Sequence, residues 1–353
     1  MKCIAILGFL VLWNSIGAQV VLSANGQGDT YGLISSVLAP GYNPIEVPDC
    51  NHIDFGDHID EVFDEDLNKF VFRFHIHTTP DDDRCINFDR QRNEIKTYDK
   101  SPDNLLGVED EVVHYRWKFK LPSGFQSSPN FTHLHQLKSV GGDYSSLPMY
   151  SILARKGNPD QLELRYSEKD DTERLKRTDL APFIDTWLQV DEIIKYGTSG
   201  TYQIQIQRMS DETILFEYAN DNIINWKPGG SFVRPKWGIY RSLLNAQDLR
   251  DESVLFADFS IEEITITATD KHQNTKEEQI ITSKYFANNL VLNNKWKQAV
   301  TIDIYDMNGS VIYNGKINSQ GELIIHTSLL KKGNYVLRYS ENHFSASEII
   351  FIY

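Results

Sequence analysis

The chain has 353 residues, enough for one large core and a smaller second domain. Its net charge of −14 argues against nucleic acid as a partner, but a local basic groove can still sit on an acidic surface and receive an acidic polymer. After the first residues, no stretch is long and apolar enough to span a bilayer.

In chain order, Lys2 supplies a positive charge, residues 3–13 form an apolar run, and small residues up to Ala18 precede Gln19. Residues 1–18 therefore read as a signal peptide. Cys3 lies before the apolar run, where an acylated lipoprotein cysteine would not sit. Cys50 and Cys85 remain after cleavage, and an even pair in an oxidising compartment is expected to form a disulfide rather than two separate thiols.

Residues 70–77, 113–120, 202–207 and 259–267 alternate or nearly alternate, the period of half-buried strands. Turn clusters at 156–160, 196–200 and 227–230 punctuate them, and only 178–183 suggests a turn of helix. The fold class is all-β: a sandwich over 19–267, a polar linker at 268–279, and a small β-domain at 280–353. In the last segment, 300–313 reads as a hairpin turning at Asn308-Gly309, followed by strands at 322–325 and 334–339 and an apolar end.

Three strands carry more polar chemistry than a core needs. On 89–98, Arg90, Arg92, Glu94, Lys96 and Tyr98 can share one face. On 130–138, strict alternation sends Gln136 and Lys138 one way and His133 and His135 the other. No third metal ligand has obvious spacing to that histidine pair, so no metal set is expected there. On 234–241, Lys236, Gly238 and Tyr240 face alike, and the glycine marks either room for a ligand or a bulge. Each strand also has a plain reading: a solvated salt-bridged face, buried histidines, an ordinary bulge.

Two resemblances follow from these motifs. Tyr305, Asp306, Gly309, Gly333, Tyr335 and Leu337 resemble the C-terminal sorting domain of the type IX secretion system, against the alternative of an immunoglobulin-like accessory module. The ordered set Arg92-x-Glu94-x-Lys96, Gln136-x-Lys138 and Lys236-x-Gly238-x-Tyr240 resembles the jelly-roll polysaccharide lyases, a group that includes family 7 alginate lyases, heparin lyase I, and glucuronan and ulvan lyases. Lys138 stands where alginate lyases place histidine, and this departure leans the substrate toward ulvan.

The resemblance implies a jelly roll and endo-acting β-elimination at a uronic acid. Tyr240, Lys138 and His135 are the candidate catalytic residues. Arg92, Glu94, Lys96, Gln136, His133, Lys236 and Arg241 are the candidate substrate-binding residues. Alternatives are a glucuronan, alginate or heparin-type lyase, a glycoside hydrolase, or a carbohydrate-binding protein without catalysis. Tyr98, Trp117 and Trp237 are candidates for stacking on sugars, and Arg155, Lys156 and Arg250 for further anions. No cofactor is implied. The acidic run Asp81-Asp82-Asp83 leaves open a structural calcium, although such runs are usually solvated. The expected partners are an acidic polysaccharide and the secretion machinery, for a monomer that is secreted or held at the cell surface.

Overall fold

Alternation in sequence becomes alternation in burial wherever one face of a strand meets a core. Strands are numbered here in chain order. In β11 (Leu188–Lys195), Leu188, Val190, Glu192 and Ile194 are buried and their neighbours are not; in β12 (Gly200–Arg208), Tyr202, Ile204 and Ile206 follow the same rule. The structure is a computed structural model that describes residues 19–264, 281–286, 289–295, 297–306, 310–326, 330, 333–341 and 344–352. The expected signal peptide, the linker at 268–279 and the Asn308-Gly309 turn lie outside the described residues.

The chain divides into two compact units, Met1–Thr265 and Ile266–Tyr353. The first is a jelly-roll sandwich of two antiparallel sheets. One sheet runs β13 (Ile214–Ile223), β12, β11, β6 (Val112–Lys120), β15 (Glu252–Ile264), β4 (Lys69–Ile76), β3 (Ile59–Asp64), with β1 (Val20–Leu22) also paired to β15. The other runs β10 (Glu173–Asp179), β9 (Gln161–Tyr166), β8 (Tyr150–Arg155), β7 (Thr132–Val140), β14 (Phe232–Ser242), β5 (Arg90–Lys96), β2 (Ile45–Glu46). One continuous core joins them, with Phe72, Phe74, Trp117, Phe119 and Phe256 from the first sheet meeting Ile152, Leu164, Trp237 and Ile239 from the second.

One element differs from the sequence reading. A nine-residue helix, α1 (Thr30–Leu38), buries Thr30, Ile34 and Leu38 and is capped by Asp29, whose side chain accepts the Gly32 amide at 3.0 Å. Gly32, Ser35 and Ser36 dilute its apolar pattern, which hid it. The turn expected at 178–183 is a short 3₁₀ segment, Ala181–Phe183. Gly238 has a φ of 141°, and a Cβ there would lie 2.1 Å from the Asn93 carbonyl oxygen. The neighbouring backbone of β5, together with a bulge between Trp237 and Tyr240, therefore explains this glycine.

The second unit holds a three-stranded sheet, β16 (Ile281–Phe286), β17 (Asn289–Asn294), β20 (Glu322–His326), and a four-stranded sheet, β19 (Val311–Ile317), β18 (Val300–Asp306), β21 (Gly333–Glu341), β22 (Phe344–Ile352). Leu290, Leu292, Ile302, Ile304, Ile317, Ile325 and Leu337 form a core of their own.

The expected disulfide is present. Cys50 and Cys85 are bonded with Cα atoms 6.3 Å apart across a sequence separation of 35. Closing a loop of that length removes about 4 kcal/mol of unfolded-chain entropy in the simplest treatment. Replacing both cysteines by serine should therefore lower the melting temperature of the first unit by about 8–16 °C. Calorimetry with and without reductant tests this, and an unchanged melting temperature would refute it.

Candidate active site

Strand β14 lies between β5 and β7, so the three polar strands singled out in the sequence are neighbours. On one side Tyr240 pairs with Arg92, Gly238 with Glu94 and Lys236 with Lys96; on the other Lys236 pairs with Gln136 and Tyr240 with His133. Burial on these strands does not alternate. Five consecutive residues of β5, Gln91 to Ile95, are buried. Ile95 belongs to the core, whereas Arg92 and Glu94 point the other way, so the outward face of this sheet is a recess sheltered by flanking segments.

Charged groups in the recess satisfy one another. Glu94, with no exposed surface, accepts from Lys236 at 2.9 Å and from Arg92 and Gln136. Glu46 of β2 accepts from Lys96 and Arg84, each at 2.7 Å, and from Lys236. Asp83 accepts from the Nε atoms of Arg92 and Arg84, each at 2.8 Å. Burial disfavours ionisation of Glu46 and Glu94, but Lys236 and Arg92 overcome it and hold both carboxyls below the usual carboxylate range. Asp83 is held low in the same way by Arg92 and Arg84 against its burial.

At one end of this cluster stands Tyr240. Arg90 donates to its phenol oxygen at 3.0 Å, the Arg92 guanidinium lies 3.7 Å from the ring centroid, and the His133 ring stacks beside it at 5.7 Å. The His133 Nδ1 is buried and has no hydrogen-bond partner among the described residues. Burial, reinforced by Arg92 and Lys236, pushes this imidazole down to about 3 despite Glu94, so it is neutral near pH 7. At the other end Lys138 pairs across the strands with Arg234, whose Nε is also buried without a partner. Burial and then Lys236, Arg234 and Arg92 push the Lys138 amine down to about 8. Cations that repel one another in this way are relieved when an anion binds.

Several sequence expectations need correction. His133 and His135 do not share a face. A second irregularity, on the β7–β8 side between His133 and His135, breaks the alternation. His135 is 1% exposed, rests against Trp117 and Trp237, and bonds Glu192 of the opposite sheet at 2.8 Å, so it cannot act as a base on substrate. Arg241 is fully buried on the core side, held by Gln91 at 2.8 Å, and cannot bind substrate. Trp117 and Trp237 are core residues and cannot stack on sugars.

Lys138 is six positions of β14 away from Tyr240 when read through its partner Arg234, about 20 Å along the strand, and its amine turns to the Ser146 carbonyl. Arg155, Lys156 and Arg250 are paired with Glu163, Asp248 and Glu252. The Asp81-Asp82-Asp83 run diverges: Asp81 faces three histidines, Asp82 accepts the Cys85 amide, and Asp83 holds arginines. Glu46 and Arg84 were missed because they come from short or irregular segments with no periodic signal, and Asp83 was noticed only as part of an acidic run, not as the partner of Arg92. Arg90 was visible on the polar face of its strand but was not singled out.

Residues 287–352 match the secretion system C-terminal sorting domain family. This tail marks the chain as secreted or held at the cell surface. No curated protein matches the sequence. Among solved structures, an alginate lyase of family PL-14 from Aplysia kurodai superposes with a TM-score of 0.50 at 12% identity, over 70% of this chain and 100% of that one. An endo-β-1,4-glucuronan lyase from Trichoderma reesei gives 0.41 at 16% identity over 58% and 87%, and an alginate lyase from Pseudomonas aeruginosa gives 0.40 at 13% over 59% and 87%. The fold of the first unit is that of the jelly-roll polysaccharide lyases.

The depressed carboxylates make the cluster sensitive to acid. Glu46, Glu94 and Asp83 bind protons less readily folded than unfolded, so their stabilisation is complete above about pH 5 and is lost as pH falls further. Glu46→Gln should cost about 3–5 kcal/mol at neutral pH by removing one of the two carboxylates that meet buried Lys236. Denaturant titrations should show that gap closing as pH falls from about 5 to 2. A gap independent of pH would exclude this account.

Proposed function

We propose that the first unit is an endo-acting lyase that cleaves a uronate-containing polysaccharide by β-elimination. The observation that carries this reading is Tyr240, set between two guanidiniums and a neutral histidine on the recessed face of the sheet.

β-Elimination removes the C5 proton, forms the C4–C5 double bond and breaks the C4–O4 bond, and O4 leaves with a proton. Tyr240 takes the C5 proton and returns it to O4 when both lie on one face of the sugar. Charge on the phenol oxygen is then met by Arg90 at the hydroxyl and Arg92 on the ring face. Arg92 is already held by Asp83 and Glu94, so it positions the ring. Arg90, half-buried and paired among the described residues with its neighbour Asp89 and with Tyr240, is the cation that can exchange the exposed Asp89 for the sugar carboxylate. His133 borders Tyr240 with a neutral ring stacked beside the phenol, and so adds no further charge there.

The finer assignment is ulvan. Lys138 and Arg234 sit well along the strand from Tyr240 and suit a second anionic group on a neighbouring sugar, such as the sulfate of a sulfated uronate polymer. Endo action suits a surface that continues to both sides of Tyr240, along Arg90 and the Phe131 ring one way and along Lys236 and Arg234 the other. A hydrolase would need a protonated carboxyl beside an ionised one, whereas Glu46, Glu94 and Asp83 are all held ionised.

Incubating the purified chain with ulvan, glucuronan, alginate and heparin should raise the ultraviolet absorbance of an unsaturated uronate, most strongly on ulvan. Binding without that signal on any polymer would sink the reading. Tyr240→Phe should lower kcat by about 10²–10⁴-fold with substrate binding retained. His135→Ala should instead lower the melting temperature, because it strips buried Glu192 of a partner.

A further inference from the structure

Behind the recess, a second cluster has no part in the chemistry above. Four of the ten histidines of the chain fall between positions 52 and 77, and three of them converge on one carboxylate. His52 Nδ1 lies 2.8 Å and His58 Nε2 3.3 Å from Asp81 Oδ1, and His77 Nδ1 lies 3.1 Å from Asp81 Oδ2. The four donor groups all lie within 4.8 Å of one another. We propose that His52, His58, His77 and Asp81 form a structural zinc site that fixes the wall of the recess.

Three imidazole nitrogens and one carboxylate oxygen are a tetrahedral zinc set. Calcium and magnesium would demand a shell of oxygens, which these residues do not supply. Zinc bonds of about 2.0–2.2 Å place tetrahedral donors about 3.3 Å apart, close to the separations from Asp81 already present. The surroundings suit the role. Asp49 accepts from His58 Nδ1 at 2.7 Å, which fixes that ring and turns Nε2 inward, and the His77 amide holds Asp81 Oδ2 at 2.6 Å. Phe55 packs on the rings of His52, His58 and His77 and supplies an apolar cover. His58 and Asp81 are buried, while His52 and His77 retain about a fifth of their side-chain surface, which gives an ion a way in.

The ligands come from two segments that are also tied by the nearby Cys50–Cys85 bond and by the Asn51 side chain donating to the Pro80 carbonyl. Joining them bears directly on the recess. Gln91 donates to the carbonyls of His77 and Asp81, the Arg92 amide donates to the Asp82 carbonyl, and Asp83 holds the Arg92 guanidinium. A cation at Asp81 therefore secures the segment from which Asp83 orients Arg92 beneath Tyr240.

The test uses the untagged chain, stripped by chelator and titrated with zinc chloride. It should bind one zinc ion per chain and gain about 5–10 °C in melting temperature at 100-fold excess over Kd, with no comparable gain from calcium or magnesium chloride. Cobalt(II) in place of zinc should give the intense visible absorption of a tetrahedral centre. His52→Ala and His77→Ala each remove one partly exposed ligand. Both should lose this binding while keeping the circular dichroism of the stripped wild type. Absence of zinc binding by the wild type, unchanged binding in both variants, or an equal response to calcium would each overturn the proposal. None of these readouts depends on lyase activity.

Discussion

Burying Glu94 is the constraint from which the rest of the recess follows. A carboxylate with no exposed surface must be met by charge and by hydrogen-bond donors; β14 supplies Lys236, two residues along from the Gly238 that pairs with Glu94, and β7 supplies Gln136, which pairs with Lys236. Lys236, buried in turn, draws in Glu46 from β2, and Arg92 draws in Asp83 from the segment before β5. Each partner is itself placed by the need to satisfy the next. The result is a polar network complete in itself, with Arg92 held so that its guanidinium face remains for Tyr240.

Much of this was legible because strand periodicity is a local property. The strands expected at 70–77, 113–120 and 202–207 correspond to β4, β6 and β12, and the three polar strands correspond to β5, β7 and β14. What periodicity could not carry was its own interruption. A bulge is a single residue of extra backbone, and on β7 it sends His135 into the core while His133 stays beside Tyr240. The sequence shows two histidines in a regular alternation, and only the pairing of β7 with both neighbours reveals that the alternation slips between them. Arg241 misleads in the opposite way: its charge suggests substrate, yet strict alternation from Tyr240 already places it on the core side.

Long-range partners were the other blind spot. Glu46 lies on a two-residue strand with no period to mark it, and Asp83 lies on a turn where the acidic run gives no hint of its arginine partners. His52, His58 and His77 were hidden for a related reason. His75 and His77 sit on or beside the end of β4 and read as part of a strand, while His52 and His58 belong to an irregular segment, and nothing short of the tertiary fold sets the two groups against Asp81.

The distribution of cross-links follows from where the protein works. The sandwich core is continuous and large, and β4, β6, β14 and β15 need no further fastening. The segments around Cys50 and Cys85 are different. They are short of buried apolar side chains, with Ile53, Ile86 and Phe88 all exposed, yet they carry Asp83 and Arg84, which the charged recess requires in fixed positions. Hydrophobic burial cannot hold such a wall, so covalent and polar ties must. An exported protein can keep a disulfide, and the tail that marks it for export thus belongs with the same solution as the Cys50–Cys85 bond: a polar surface outside the cell is kept rigid with links that last there.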